Sequence, residues 1–268
     1  AALPPAEERQ RYARQVLEPE RYERLARALG GYAVGDSPPS HERDLAAAFL
    51  GRALAYRPLA GLLRRELELP DEAWDGADAK RRRAALAIAL LYLDAPPPAR
   101  AAAAALLADR TLPSPWRRDA FSALYRTGSP EQRNEAVRLG VEADDALVLH
   151  EMLDTQRART DPPEELRGAM ISWHERVVTE VEEGGKLTRS QEGVYMRLTT
   201  RLLMLGRSGS ILSAEERHGL AAQCRRMLAA GTSNLRYSAT GLLGAVGDEA
   251  DDGEHLVALL RDSQSNVR

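Results

Sequence analysis

Three of the five histidines precede a glutamate: His41-Glu42, His150-Glu151 and His174-Glu175. Imidazole beside carboxylate suits non-haem iron, so these pairs come first as candidates for chemistry. Their spacing works against it. The pairs stand 109 and 24 residues apart, and Glu254-His255 is reversed. Solvated charged side chains, with His150 or His174 packed beside a helix, account for them more simply. Gly206-Arg207-Ser208-Gly209-Ser210 resembles a nucleophile elbow only superficially, because that motif needs a glycine two residues after its serine and a strand before it. Position 210 is Ser, and the preceding residues read as helix. Gly30, Gly31 and Gly35 lack the spacing of a dinucleotide loop. The acidic run Asp248 to Gly253 lacks the alternating ligands of a calcium loop and reads as a turn in which Asp251 or Asp252 caps the next helix. No catalytic residue, metal site or cofactor follows.

Cys224 is the only cysteine, which excludes an intrachain disulfide and disfavours a thiolate metal site. Leu220, Cys224, Met227 and Leu228 share one helical face, so the thiol reads as a small core group. Basic residues cluster at Lys80-Arg81-Arg82-Arg83, with Arg100, Arg110, Arg117 and Arg118 following, and a ridge of that kind could meet phosphate or an acidic partner. Four consecutive basic residues point to all sides of a helix, however. The net charge of −3, from 37 basic and 40 acidic residues, gives no global attraction for nucleic acid or an anionic membrane. Only Lys80 and Lys186 are lysines, an arginine bias that reads first as coding bias.

The elements that must position these residues are helical. Ala, Leu, Arg and Glu dominate, and β-formers are scarce. A thin apolar stripe (Tyr12, Val16, Tyr22, Leu25, Leu29) marks one or two exposed N-terminal helices, with Gly30-Gly31 as their stop. His41 to Tyr56 is a helix with Leu45, Phe49 and Leu54 near one face, and Pro58 restarts the chain toward Pro70. Ala84 to Leu93 is the longest apolar run, about half of what a bilayer needs. Ser129 with Gln132, Thr188 with Gln191, and Ser213 with Glu216 are capping boxes, and Asp161 with Glu164 reads the same way. In all, roughly twelve to fourteen helices are expected.

Two spacings suggest a repeat. The helix starts at Arg83 and Arg117 stand 34 residues apart, and those at Arg236 and Arg268 stand 32 apart; Asp109 precedes Arg117 much as Asp262 precedes Arg268. Residues 80–126 and 234–268 thereby resemble the HEAT repeat family, whose antiparallel helix pairs stack into a right-handed α-solenoid. The resemblance implies a hydrogen-bonded ladder in which these aspartates and arginines take part. One HEAT-repeat enzyme family, deoxyhypusine hydroxylase, ligates two irons through His-Glu dipeptides, and the irregular pairs here depart from it. HEAT-like DNA glycosylases bind the phosphate backbone on a basic concave face, but no tryptophan or aspartate stands in a recognisable base-excision pattern.

The expected architecture is therefore an all-α, right-handed solenoid of HEAT-like helix pairs. Residues 1–70 form an irregular helical region packed on it, and residues 71–268 form the repeats. Val267-Arg268 opens a further helix, so the chain reads as part of something longer. The expected function is a non-catalytic scaffold or adaptor for a protein partner, with nucleic-acid binding as the alternative. The expected partner-binding residues are Arg81, Arg82, Arg118, Arg157 and Arg159, joined by exposed aromatics among Trp74, Trp116 and Trp173. No membrane span is expected. The compartment stays open, the cytoplasm being slightly favoured.

Overall fold

The computed structural model describes residues 4, 6–34, 40–70, 72, 76–155, 161–209, 211–248, 252, 253 and 257. Among them every long element is a helix and no strand occurs. The chain divides into two compact units, Ala1–Glu151 and Met152–Arg268.

The first unit opens with α1 (Ala6–Leu17) and α2 (Pro19–Val34), joined at Glu18, whose positive φ allows the reversal before Pro19. Gly30-Gly31 does not stop α2, which runs through both glycines. Gly30 is used for packing instead: a Cβ there would stand 2.7 Å from Leu59 Cδ1. The buried side of this pair consists of Ala13, Tyr22, Ala26 and Ala33, while Tyr12 and Val16 of the expected stripe face solvent. Tyr22 donates to Leu54 O at 2.9 Å and meets the Tyr56 ring edge-on.

α3 (His41–Phe49) starts on Ser40, whose hydroxyl accepts from Arg43 N, and passes directly into a π-helical turn, Leu50–Leu54. Ala55 ends that turn in the left-handed region. After a short 3-10 turn at Arg57–Leu59 come α4 (Ala60–Leu67) and α5 (Ala77–Leu93). Every residue of α5 from Ala84 to Leu93 is buried, as a helix apolar on all sides must be. α6 (Pro97–Ala108) and α7 (Ser114–Thr127) each begin with proline in the first turn, where its missing N–H costs nothing. α8 (Pro130–Ala143) carries the Ser129–Gln132 capping box in full. α5 packs against α3, α4, α6 and α7, so residues on both sides of position 70 share one core.

α9 (Ala146–Thr155) contains the boundary between the units and begins where Asp145 accepts from the N–H groups of Leu147 and Val148. The second unit holds α10 (Glu164–Glu182), α11 (Arg189–Arg207), α12 (Ala214–Ala230) and α13 (Ser233–Val246). Thr188–Gln191 and Ser213–Glu216 cap α11 and α12 as capping boxes. Asp161 does not cap α10; Pro163 occupies that position and no side chain caps it, because the Pro162-Pro163 step sets the helix start. α13 packs against α11 and α12, and α12 also against α10.

One device recurs at the helix ends. The last carbonyls of an α-helix have no partner within it, and arginines from neighbouring helices supply one. Arg43 and Arg82 both donate to Ala33 O near the end of α2, at 2.9 and 2.6 Å. Arg100 donates to Leu124 O and Thr127 O at the end of α7. Arg117 on α7 reaches back to Leu107 O and forward to Ala143 O. Arg217 on α12 repeats this with Gly206 O behind and Ala245 O ahead.

Candidate functional site

The expected basic ridge is largely occupied by internal contacts. Arg82 is buried and holds Glu66 with two bonds of 2.7 Å, with Asp44 at 3.6 Å and Ala33 O completing its surroundings. Its guanidinium joins helices and does not face a partner. Within the basic run Arg82 is the buried member and Arg83 is half-buried. Arg81 pairs with Asp78, and Lys80 with Asp109 and Thr111. Asp109 thus bonds to Lys80 and Thr111, and Arg117 takes Asp145 at 2.9 Å. Arg118 is half-buried and holds Asp119 at 2.7 Å. Arg157, Arg159, Trp74, Asp262 and Arg268 lie outside the described residues. Trp116 is buried, and Trp173 is half-buried beneath the Arg176 guanidinium at 4.3 Å.

The histidines come out unequally. His174 is fully buried, stacked on Tyr195 with ring centroids 5.1 Å apart. Its Nδ1 lies 2.6 Å from Gln223 Oε1, and because an amide oxygen can only accept, the proton sits on Nδ1. Nε2 is buried without a hydrogen-bond partner. Burial pushes this imidazole down to about 4. Cys224, also buried, is pushed up to about 12 by the same cause, which makes it an inert core thiol. Glu151 accepts from Ser122 and Arg126, and Glu175 pairs with Arg226, so both carboxylates have structural contacts. Among the described residues no three His, Cys, Asp or Glu side chains gather as metal ligands. No helix among them is long and apolar enough to cross a membrane.

The feature with the form of a binding site lies in the first unit, over α3. It is an open cleft of about 920 Å³, walled by the end of α2 and by α3, and floored by Ile88 and Tyr92 of α5. The π-turn sets one end. Gly51 lies so close to α5 that a Cβ would stand 2.5 Å from Ala89 O, and only glycine permits this contact. With Gly51, Leu50 and Leu54 held inward, Arg52 and Ala53 are left on the cleft side. A π-turn inside a helix frequently accompanies a functional site.

The cleft walls leave apolar surface uncovered. Leu45 is 50% exposed, Phe49 47% and Tyr32 43%. Sequence periodicity groups Leu45 and Phe49 with Leu54, but the π-turn offsets the phase, and only Leu54 enters the core. Charged and polar residues stand among these apolar walls: Glu42, Asp119, Arg52 and Tyr92. Arg52 is exposed, and no hydrogen bond or ion pair of its guanidinium occurs among the described residues. The Tyr92 hydroxyl is buried beneath the floor, beside Ser122. Ser122, its hydrogen-bonding neighbour, donates to Glu151 at 2.7 Å and accepts from Arg126 at 3.0 Å, which leaves one lone pair directed to the phenol. Burial pushes the Tyr92 phenol up, so it remains a protonated donor.

A smaller cleft of about 530 Å³ lies in the second unit, where exposed Met196 and Met204 of α11 meet Leu153, Asp154 and Thr200. Asp154 and Arg197 pair across it at 2.7 Å. No family model, curated protein or solved structure matches the chain.

Proposed function

We propose that this protein is a HEAT-like α-solenoid acting as a non-catalytic scaffold, and that the cleft over α3 receives a segment of a protein partner. The solenoid reading draws on helices that pack against the next helix and the one after it, as α5 does with α6 and α7 and as α10 does with α11 and α12. It draws also on the arginines that reach one helix back and one helix on. The binding reading rests on one observation: Tyr32, Leu45 and Phe49 line an open cleft above a helix, α5, whose apolar run is otherwise fully covered. Phosphate-backbone binding through the basic ridge has less support, since Arg82 is buried and Lys80 and Arg81 are neutralised by acidic neighbours.

A photo-crosslinking residue placed at Phe49, in the full chain expressed in its native host, tests the reading. The same residue at Tyr12, exposed on α1 away from the cleft, is the control. A discrete protein adduct from position 49 and none from position 12 is expected. Indistinguishable adducts from the two positions would sink the proposal.

A further inference from the structure

A second cleft of the first unit, of about 490 Å³, carries an excess of positive charge. It lies where the ends of α5 and α7 meet the starts of α1 and α8, and its walls set Arg9, Arg57, Arg126 and Arg133 against two carboxylates, Glu7 and Asp94. Both carboxylates are taken: Arg57 holds Glu7 at 2.7 Å, and Arg64 holds Asp94 at 2.6 Å. Arg126 reaches Glu151 at 3.2 Å. Arg64 and Glu151 stand outside the lining and add one charge of each sign, so an excess of two persists. It belongs to Arg9 and Arg133. Arg9 spends its N–H groups on carbonyls, those of Gly51, Arg52 and Tyr92 among them, and meets no carboxylate among the described residues. The carbonyls ending α7 are likewise met by Arg100. Arg133 forms no hydrogen bond or ion pair among the described residues, and its Nε is buried. Its guanidinium lies over the Tyr125 ring, 5.9 Å from the centroid. Stacking occupies the face of a guanidinium and leaves its N–H edge for an acceptor. Arg126 donates from Nε and Nη2, which leaves Nη1 without a bond, and Arg57 Nη2 stands 4.0 Å from Asp94, beyond a hydrogen bond.

We propose that this cleft binds a phosphate monoester, whose dianionic head is received by Arg133, Arg126 and Arg57. The three arginines stand on three elements, α8, α7 and the 3-10 turn, so their donors reach an anion from different sides. A tetrahedral head with three terminal oxygens accepts from several directions, whereas a carboxylate accepts in one plane. Its charge of about −1.5 to −2 at pH 7 matches the excess on the walls. The volume leaves room beyond the head for the group that carries it. This site is independent of the protein-binding reading, which rests on Tyr32, Leu45 and Phe49 of the other cleft.

The test is titration calorimetry of the full chain with a hexose phosphate, a short phosphoserine peptide, inorganic phosphate and sulfate. The phosphate compounds are expected to bind at about pH 7.5 and to lose about tenfold in affinity by about pH 5, where the head takes up its second proton and the arginines stay charged. Sulfate, a dianion at both values, should keep its affinity. The tighter of the hexose phosphate and the peptide identifies the carrier, and either supports the phosphate site. Arg133→Glu should weaken phosphate binding by about tenfold or more. Arg27→Glu, exposed on α2 and outside the cleft, makes the same change of charge and should leave binding intact. If Arg133→Glu lowers the thermal midpoint, Arg133→Gln reads the same loss without a reversed charge. No binding of any phosphate compound at about 10 mM, affinity unmoved by either Arg133 variant, or equal weakening by Arg27→Glu overturns the proposal.

Discussion

His174 makes the stability of the second unit depend on pH in a direction the structure fixes. The neutral ring donates from Nδ1 to Gln223, while Nε2 faces no acceptor, so a second proton would place a charge in a dry site. An unfolded histidine binds that proton near pH 6.5, whereas His174 takes it only near pH 4. Between those values the unfolded state holds more protons than the folded one. Stability is therefore complete above about pH 6.5 and falls by about 1.4 kcal/mol for each unit of acidification, about 3 kcal/mol in all. Against a total of about 5–15 kcal/mol for a domain, the effect is readily measured. The assay is urea unfolding of the full chain carrying Trp74→Phe and Trp116→Phe, so that Trp173 on α10 reports the second unit. Wild type is compared with the double variant His174→Phe, Gln223→Leu, which replaces both hydrogen-bonding partners by apolar groups of similar shape. Carboxylates titrate in both proteins, so the difference between the two curves isolates the histidine. The double variant should lose much less stability between about pH 7 and about pH 4.5. Parallel curves would refute the argument.

Three further outcomes follow from packing. Arg82→Ala removes the two-bond contact to Glu66 and a 3.6 Å ion pair to buried Asp44 and should destabilise the first unit by about 3–5 kcal/mol; Arg82→Lys should recover only part of this, and a urea midpoint unmoved relative to Arg81→Ala would count against it. Gly51→Ala drives a methyl into the Ala89 backbone and should cost about 1–3 kcal/mol or more. Gly168→Ala, in α10 with open space around it, should add about 0.5–1 kcal/mol, and calorimetry that showed both shifts with the same sign would contradict the geometry. Cys224 should react with a thiol reagent no faster than the second unit opens, since burial keeps it protonated; stoichiometric labelling of the native chain within seconds would be inconsistent with its burial.

Local signals in the sequence carried well. Ser129, Thr188 and Ser213 cap their helices because each motif completes itself within four residues. The Ala84–Leu93 run announced a helix surrounded on all sides. Readings failed where a distant contact decided. Gly30-Gly31 resembled a stop, but Leu59 packs against Gly30 and the helix continues. Arg82 and Arg83 are indistinguishable by composition, and the phase of α5 buries the first. The cleft was not legible, because Leu45 and Phe49 look like core residues until the π-turn rotates them away from Leu54. Arginine abundance was read as coding bias, although five of these side chains terminate helices elsewhere in the chain.

Those terminations have a mechanical consequence. Arg117 ties the start of α7 to the ends of α6 and α8, and Arg217 ties the start of α12 to the ends of α11 and α13. A helix that frays in either group releases a bond belonging to its neighbours, so fraying should spread through three helices as a block. Pulled from one end under force, each unit should lengthen in steps of helix triplets, each step beginning when a single guanidinium lets go.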